Sequence, residues 1–159
     1  LIRQGIKAVI IGRDIGQGLI ILMTKVQKKH NADTVLQLIS ALWEYGDREI
    51  AKLMQAKKQA QAATLQDQVD TIVALCEGAD TIEQVKSKIA TVFDDRVSGV
   101  AFSSIHKSKG LEADRIFIIR PELTPHKLAV QPWQQTQERN LQYISWTRSR
   151  SELYFVAGE

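Results

Sequence analysis

Three features that many proteins carry are scarce or missing here, and two of these absences each exclude a class of protein. The 159 residues include a single cysteine, Cys76, which rules out an internal disulfide and a cysteine-based metal cluster. No apolar run is long enough to cross a membrane and no signal peptide is present, so we expect a cytoplasmic protein. The formal net charge of +3 is small, and it permits an anionic partner without requiring one.

The sequence patterns of a self-sufficient nucleotide hydrolase are also missing. The chain contains no G-x-x-x-x-G-K-[ST], the P-loop whose backbone cradles phosphate groups. No aspartate after an apolar strand stands where it would hold Mg²⁺, and no acidic cluster has the spacing of a metal site. We therefore expect this chain to bind no metal ion by itself, and nothing in it indicates a nuclease.

The residues that are present predict a single α/β domain over residues 1–159. Hydrophobic residues make up 44% and charged residues 25%, which is ordinary for a globular protein and argues against disorder. Apolar runs predict four strands, at KAVIIG (7–12), GVAFS (99–103), RIFII (115–119) and ELYFV (152–156). Because helical patterns separate these strands, the expected fold is a mostly parallel sheet flanked by helices. The chain begins at Leu1, and we expect it to be a segment of a longer polypeptide.

Helical spacing fills most of the region between the first two predicted strands. Apolar residues recur every three or four positions, and capping residues and glycines divide the pattern into five predicted helices. These helices begin near Ile15, Asp33, Asp47, Thr64 and Thr81. Gly46 is predicted to end the second of them, and a sixth helix is predicted over residues 134–147, before the last strand.

A polar loop follows the second predicted strand. Its hydroxyl, imidazole and ammonium groups belong to Ser103, Ser104, His106, Lys107, Ser108 and Lys109. Gly110 then permits a backbone conformation that other residues resist. Hydroxyls, ammonium groups and free backbone N–H groups suit phosphate oxygens. The residues alone leave open the alternative of a solvated loop in which His106 is simply hydrogen-bonded.

Two arginines are predicted at the ends of core elements. Arg13 follows the first predicted strand, at the edge where open α/β sheets bind ligands. Arg148 comes at or just past the end of the last helix, where it can interact with the helix dipole or direct a bidentate guanidinium at a phosphate. Two arginines at a common edge of a parallel sheet indicate a shared anion, in particular a transferring phosphoryl group.

Three segments resemble motifs of superfamily 1 DNA helicases of the UvrD/Rep type. HKSKGLEADRIFII (106–119) resembles their motif V, T-x-H-x-x-K-G-L-E followed by an apolar strand. QERNLQYISWTRSRSELYFV (137–156) resembles motif VI, E-E-R-x-L-x-Y-V-x-x-T-R-A followed by a strand. AVIIGRDIG (8–16) resembles motif IV, in which a strand ends in an arginine. The segments stand in the family's order at both ends of the chain, and the resemblance does not extend over the helical middle.

The resemblance implies a second RecA-like domain, called 2A in these helicases, with residues 30–95 as a helical insertion and the 2B domain reduced or absent. It implies that Arg148 contacts the γ-phosphate of ATP as an arginine finger, with Arg13 as its companion. Glu112, with Gly110 in the same K-G-L-E element, is implied to contact the nucleotide. ATP and Mg²⁺ are expected on an N-terminal P-loop domain of the same polypeptide, so the isolated chain is expected to be inactive.

The resemblance also implies a grip on single-stranded DNA. Ser104 and His106 occupy the positions of the family's threonine and histidine, which approach the DNA backbone, and Lys107 and Lys109 add charge there. Together these roles imply the C-terminal motor domain of an ATP-dependent DNA helicase or translocase that moves 3′ to 5′.

The chain departs from the family pattern at three positions. Gly12 stands where the family has a tyrosine that stacks on adenine, Ser104 replaces a threonine, and Ala113 replaces a phenylalanine. One alternative is therefore a non-catalytic RecA-like module that binds nucleic acid or protein. A second is an unrelated α/β domain whose arginines bind another phosphorylated ligand, and a third is the motor of a combined helicase and nuclease.

Overall fold

The structure is a computed structural model that describes residue 4 and residues 6–96, 99–127 and 129–158. Its elements are β1 (Ala8–Ile10), α1 (Arg13–His30), α2 (Val35–Gln55), α3 (Gln59–Cys76), α4 (Ile82–Val92), β2 (Val100–Phe102), β3 (Ala113–Ile119), α5 (Pro132–Trp146) and β4 (Ser149–Val156). A 3-10 turn, Pro121–Leu123, lies between β3 and α5. The chain divides into two compact units, Leu1–Ala101 and Phe102–Glu159.

The strands of the described residues pair as two short sheets. β1 pairs with β2, and β3 pairs with β4 in parallel, with Arg115 opposite Glu152 and Ile119 opposite Val156. Because α5 connects β3 to β4, these three elements form a parallel β-α-β unit. The described strands do not form one continuous sheet, and β1 and β2 extend for only three residues each. The mixed α/β class is therefore confirmed, while the RecA-like sheet stays a prediction.

The core of the Leu1–Ala101 unit is built by the four helices between β1 and β2. Its largest fully buried side chains are Leu19, Met23, Val26, Leu38, Leu42, Val69, Ile72, Val85 and Ile89. They recur at helical spacing, so each helix buries one apolar stripe, and each large side chain contributes about 1.5–3 kcal/mol. Cys76 is 3% exposed within the same core, and burial raises the pKa of its thiol.

The predicted helix boundary at Gly46 is wrong, because α2 is one continuous helix from Val35 to Gln55. Gly46 lies buried inside this helix, and a Cβ added to it would lie 3.4 Å from Cγ2 of Val69 on α3. The glycine therefore allows α2 and α3 to approach closely instead of ending a helix.

The predicted helix starts are correct in part. Thr81 caps α4, since its hydroxyl oxygen accepts the backbone N–H of Gln84 at 3.2 Å. The cap of α2 is Thr34 rather than the neighbouring Asp33. The predicted cap at Thr64 is wrong, because α3 begins at Gln59 and the Thr64 hydroxyl donates to the Ala60 carbonyl at 2.9 Å.

The described part of the Phe102–Glu159 unit buries a single side chain, that of Ser145. The rings of Phe117 on β3 and Tyr154 on β4 stack with centroids 4.8 Å apart, yet they remain 57% and 43% exposed. Two strands and one helix offer too little material to cover both faces of a sheet. Across the described residues of both units, no helix combines the length and apolar character that a membrane span requires.

Candidate functional site

The loop between β2 and β3 is a compact turn. The backbone N–H of Ser108 donates to the Ser104 carbonyl at 3.0 Å, and that of Leu111 donates to the Ser108 carbonyl at 2.9 Å. Gly110 has a φ of +86°, in the left-handed region, and no atom lies within 4 Å of a Cβ added there. Glycine is therefore required for backbone conformation rather than for space, as the sequence indicates.

The polar side chains of this loop divide into two groups. The hydroxyls stabilise the turn: Oγ of Ser104 accepts the backbone N–H of Lys107 at 3.4 Å, and Oγ of Ser108 donates to the Ile105 carbonyl at 2.8 Å. The imidazole and ammonium groups belong to exposed residues, namely His106, Lys107 and Lys109. The hydrogen-bonded turn thus carries the side chains of Lys107 and Lys109 exposed to solvent.

Arg148 lies immediately after α5, where Thr147 is the C-cap residue. Its Nε donates to the Ile144 carbonyl at 3.0 Å, and its Nη2 donates to Oγ1 of Thr147 at 3.2 Å. These bonds satisfy a carbonyl at the helix C-terminus, so the expected dipole contact is present. Among the described residues, no carboxylate forms an ion pair with Arg148, and the guanidinium keeps further N–H groups for an anion.

The backbone of Arg148 meets the end of the polar loop. The N–H of Ala113, the residue after Glu112, donates to the Arg148 carbonyl at 3.1 Å, and Ala113 pairs with Ser149 at the start of the parallel ladder. The structure therefore brings the K-G-L-E element, with Gly110 and Glu112, to the same edge of the β3–β4 sheet as Arg148. Glu112 itself is exposed there.

Arg13 is the first residue of α1, just beyond β1. Its backbone N–H donates to Oδ1 of Asp95 at 3.2 Å, and its guanidinium lies 3.8 Å from Asp94 and 4.0 Å from Asp95. The Arg13 side chain is 57% exposed, so these ion pairs are loose and solvated. Sequence reasoning missed both aspartates, because nothing in a local pattern links Arg13 to Asp94 and Asp95, which lie 81 and 82 positions further along the chain.

Asp94 is held mainly by another arginine. Nε and Nη2 of Arg96 donate to its Oδ2 at 3.0 and 2.8 Å, and these bonds lower the pKa of Asp94 from 3.8 to about 2. The carboxylate is therefore ionised at neutral pH, and Arg96 at 2.8 Å is a closer partner than Arg13 at 3.8 Å.

Arg13 and Arg148 lie in different compact units and next to different sheets. Arg13 follows the C-terminal end of β1, whereas Arg148 precedes the N-terminal end of β4. The common sheet edge expected for the two arginines therefore stays a prediction. Neither guanidinium is buried in an internal ion pair within the described residues.

Gly12 serves as the N-cap residue of α1. Its carbonyl accepts the N–H groups of Ile15 at 2.9 Å and Gly16 at 3.2 Å, and a Cβ on Gly12 would lie 3.0 Å from Cδ1 of Ile15. This position therefore starts a helix and provides no ring for stacking on a base.

The donors at these positions suit anions better than metal ions. Within the described ranges, no group of three or more histidine, cysteine, aspartate or glutamate side chains is placed to hold a metal ion. Guanidinium, ammonium and backbone N–H groups are the donors that phosphate oxygens accept.

A comparison of the chain with protein families finds a match. A family model described as the UvrD-like helicase C-terminal domain matches residues 15–159. The matched range contains the polar loop, Glu112 and Arg148, whereas Arg13 lies two residues before its start. No curated protein matches the chain. The segments read as motifs V and VI thus lie inside the matched range, whereas most of the segment read as motif IV precedes it.

Proposed function

The chain belongs to the UvrD-like helicase C-terminal domain family, and on that premise we propose that it is the C-terminal motor domain of an ATP-dependent superfamily 1 DNA helicase or translocase. One observation carries the proposal. The Ala113–Arg148 backbone bond joins the K-G-L-E element to the arginine of the motif VI segment at one sheet edge. The nucleotide contacts implied for Glu112 and Arg148 and the DNA contact implied for the polar loop thus belong to a single small unit.

ATP is the substrate in this proposal, carried with Mg²⁺ by an N-terminal P-loop domain of the same polypeptide. Arg148 supplies positive charge to the γ-phosphate, and Glu112 offers a carboxylate that suits the hydroxyl groups of the ribose. The bonds from Arg148 to Ile144 and Thr147 hold the base of its guanidinium, which reduces the conformational entropy lost when it meets the phosphate. Arg13 is proposed as a second cation at the same phosphate.

The polar loop is proposed to hold the backbone of single-stranded DNA through His106, Lys107 and Lys109, while Ser104 fixes the turn that carries them. Closure of the two motor domains around ATP and release after hydrolysis would then move the strand. The 3′-to-5′ direction comes from the family resemblance alone.

The decisive test is Arg148→Ala in the full-length protein. We expect DNA-stimulated ATP hydrolysis to fall by about 10³-fold or more, because arginine fingers contribute 10³–10⁵ in related phosphoryl transfers. Binding of single-stranded DNA without nucleotide should change little. Arg150→Ala is the matched control, because Arg150 lies two residues away, is exposed, and forms only a 3.5 Å ion pair with Asp114. Turnover near the wild-type rate in Arg148→Ala would contradict the proposed role.

The DNA contact has a separate test. Replacing Lys107 and Lys109 together by glutamine should reduce the salt dependence of single-stranded DNA binding, by about 0.7 in the log–log slope for each lost phosphate contact. An unchanged slope would show that Lys107 and Lys109 do not contact DNA phosphates.

A non-catalytic binding module is the second candidate, and the glycine at position 12 favours it, because the adenine-stacking ring is missing there. A full-length protein that binds DNA but hydrolyses no ATP in its wild-type form would select this candidate.

A further inference from the structure

A cationic cluster lies between the C-terminal half of α1 and the middle of α2, in the Leu1–Ala101 unit. It is organised around Tyr45, which is 6% exposed and accepts a hydrogen bond from Nζ of Lys25 at 2.9 Å. Nζ of Lys25 and Nζ of Lys29 lie 5.2 and 5.6 Å from the centre of the tyrosine ring. One buried ring therefore holds two ammonium groups in a fixed place.

α2 adds two further cations and one carboxylate to this group. Oε1 of Glu49 lies 3.0 Å from Nζ of Lys52 and 3.5 Å from Nε of Arg48. The bond from Lys52, and then the charges of Arg48 and Lys29, lower the pKa of Glu49, which places all of these groups in one electrostatic neighbourhood. We call Lys25, Lys29, Tyr45, Arg48, Glu49 and Lys52 the Tyr45 cluster.

The Tyr45 cluster is not neutral. Four cations and one carboxylate give it a charge of +3, which equals the formal net charge of the whole chain. Nearby, exposed Lys28 adds a cation, while Glu44 adds a carboxylate that lies 3.6 Å from Nδ1 of His30. Asp47, which is also exposed on α2, adds a second carboxylate, so the local excess of positive charge is +2 when these neighbours are included, with the histidine neutral.

The spacing of these cations is unfavourable for the helices themselves. Lys25 and Lys29 are four residues apart on α1, and Arg48 and Lys52 are four residues apart on α2. Like charges at this spacing repel each other and destabilise a helix. On α2, Glu49 already offsets part of this repulsion, since it lies against both Arg48 and Lys52. A polyanion would relieve the rest, so the arrangement favours a bound ligand with several regularly spaced negative charges.

We propose that the Tyr45 cluster is a second contact for the phosphodiester backbone of nucleic acid, in addition to the polar loop of the Phe102–Glu159 unit. The inference rests on the proposed helicase function, because that function supplies a nucleic acid. The ring of Tyr45 is buried, so the cluster offers point charges to phosphates and no exposed aromatic surface to bases. Binding at the cluster is therefore independent of base sequence and depends strongly on salt.

The test uses the 159-residue chain itself, with fluorescence anisotropy of labelled oligothymidine and of a labelled duplex, each about 20 nucleotides long. Titrations between about 50 and 200 mM salt give the slope of log affinity against log salt. The variant is Lys25→Gln with Lys29→Gln, which removes two charges and keeps an unbranched polar side chain at each position. Its matched control is Lys58→Gln with Lys86→Gln, which removes one charge from the N-cap position of α3 and one from α4, outside the cluster.

The cluster variant should reduce the magnitude of the slope by about 1.4 for the single strand and about 1.8 for the duplex. The control should keep the wild-type slope on both probes. Tyr45→Phe, which removes only the hydroxyl that holds Lys25, should weaken binding less than the double variant. An effect on one probe only would identify the strand form that the cluster binds.

Equal losses in the cluster variant and the control would overturn the proposal, since they would show a general effect of net charge. Competition by polyglutamate as effective as that by oligothymidine would also overturn it, in favour of an acidic protein partner. Failure of the wild-type chain to bind either oligonucleotide would refute it as well. The proposed function has its own readout in the ATP hydrolysis of Arg148→Ala, so the two ideas can fail separately.

Discussion

Two glycines of α1, Gly16 and Gly18, give opposite predictions for the same substitution. A Cβ added to Gly16 would lie 2.7 Å from Cβ of Phe93, a distance that real side chains do not tolerate. A Cβ added to Gly18, two residues further along the helix, would meet no atom within 4 Å. The pair therefore separates the effect of packing from the effect of helix propensity.

The magnitudes follow from these two contacts. Gly→Ala inside a helix is favourable by about 1 kcal/mol, because alanine loses less backbone entropy on folding. Gly18→Ala should therefore stabilise the Leu1–Ala101 unit by about that amount. Gly16→Ala gains the same stabilisation from helix propensity, but the added methyl group overpacks the contact with Phe93, which costs about 1–3 kcal/mol. The two variants should thus differ by about 1–3 kcal/mol, with Gly16→Ala the less stable.

Urea unfolding followed by far-ultraviolet circular dichroism measures this difference, because four of the five α-helices lie in the Leu1–Ala101 unit. In thermal unfolding, each kcal/mol should correspond to about 2–4 °C in Tm for a chain of this size. Equal stabilisation by both alanines would refute the close approach of α1 to Phe93. Equal destabilisation would show instead that α1 is not helical at these positions.

Three further predictions concern the site and its surroundings. Gly110→Ala should destabilise the turn before β3 by about 1–2 kcal/mol, because alanine resists the left-handed backbone conformation of this position. Gly110→Asn should destabilise the turn less, since asparagine tolerates that conformation better. Hydrogen exchange of the β3 amides measures both effects. Because its pKa is lowered to about 2, ionised Asp94 stabilises the fold above about pH 4, and this contribution is lost as the pH falls towards 2. The difference in urea midpoint between wild type and Asp94→Asn should therefore shrink over that range, and a constant difference would contradict the ion pair with Arg96. Thr147→Val removes the oxygen that accepts the hydrogen bond from Nη2 of Arg148. This variant should lower kcat of the full-length ATPase while leaving single-stranded DNA affinity unchanged. Thr147→Ser, which keeps the oxygen, should retain the wild-type kcat.

Local patterns predict the elements that depend on local causes. The positions of β3, α5 and β4 follow from apolar runs and helical spacing, and the structure places them within a few residues of the prediction. The break predicted at Gly46 is wrong because the role of that glycine is set by Val69, which lies on another helix. The sequence shows where a glycine falls within a helical pattern, but only the packing around that glycine shows whether the helix ends there.

In the candidate site, too, local patterns identify some residues but not the contacts that hold them. The sequence identifies the residues of the polar loop and Arg148, because each stands in a motif of fixed spacing. It does not indicate that Thr147 and Ile144 hold the guanidinium, or that Asp94 and Asp95 lie beside Arg13. These partners are determined by how the chain folds back on itself, and no local pattern records that.

The burial of Cys76 has a practical consequence. A thiol that is inaccessible and kept protonated by an apolar environment reacts slowly with maleimides and with oxidants. A cysteine introduced on the surface, for example by Lys109→Cys, would then be the fast-reacting thiol of this chain. A fluorophore or spin label can therefore be attached at the polar loop while the native cysteine stays in place.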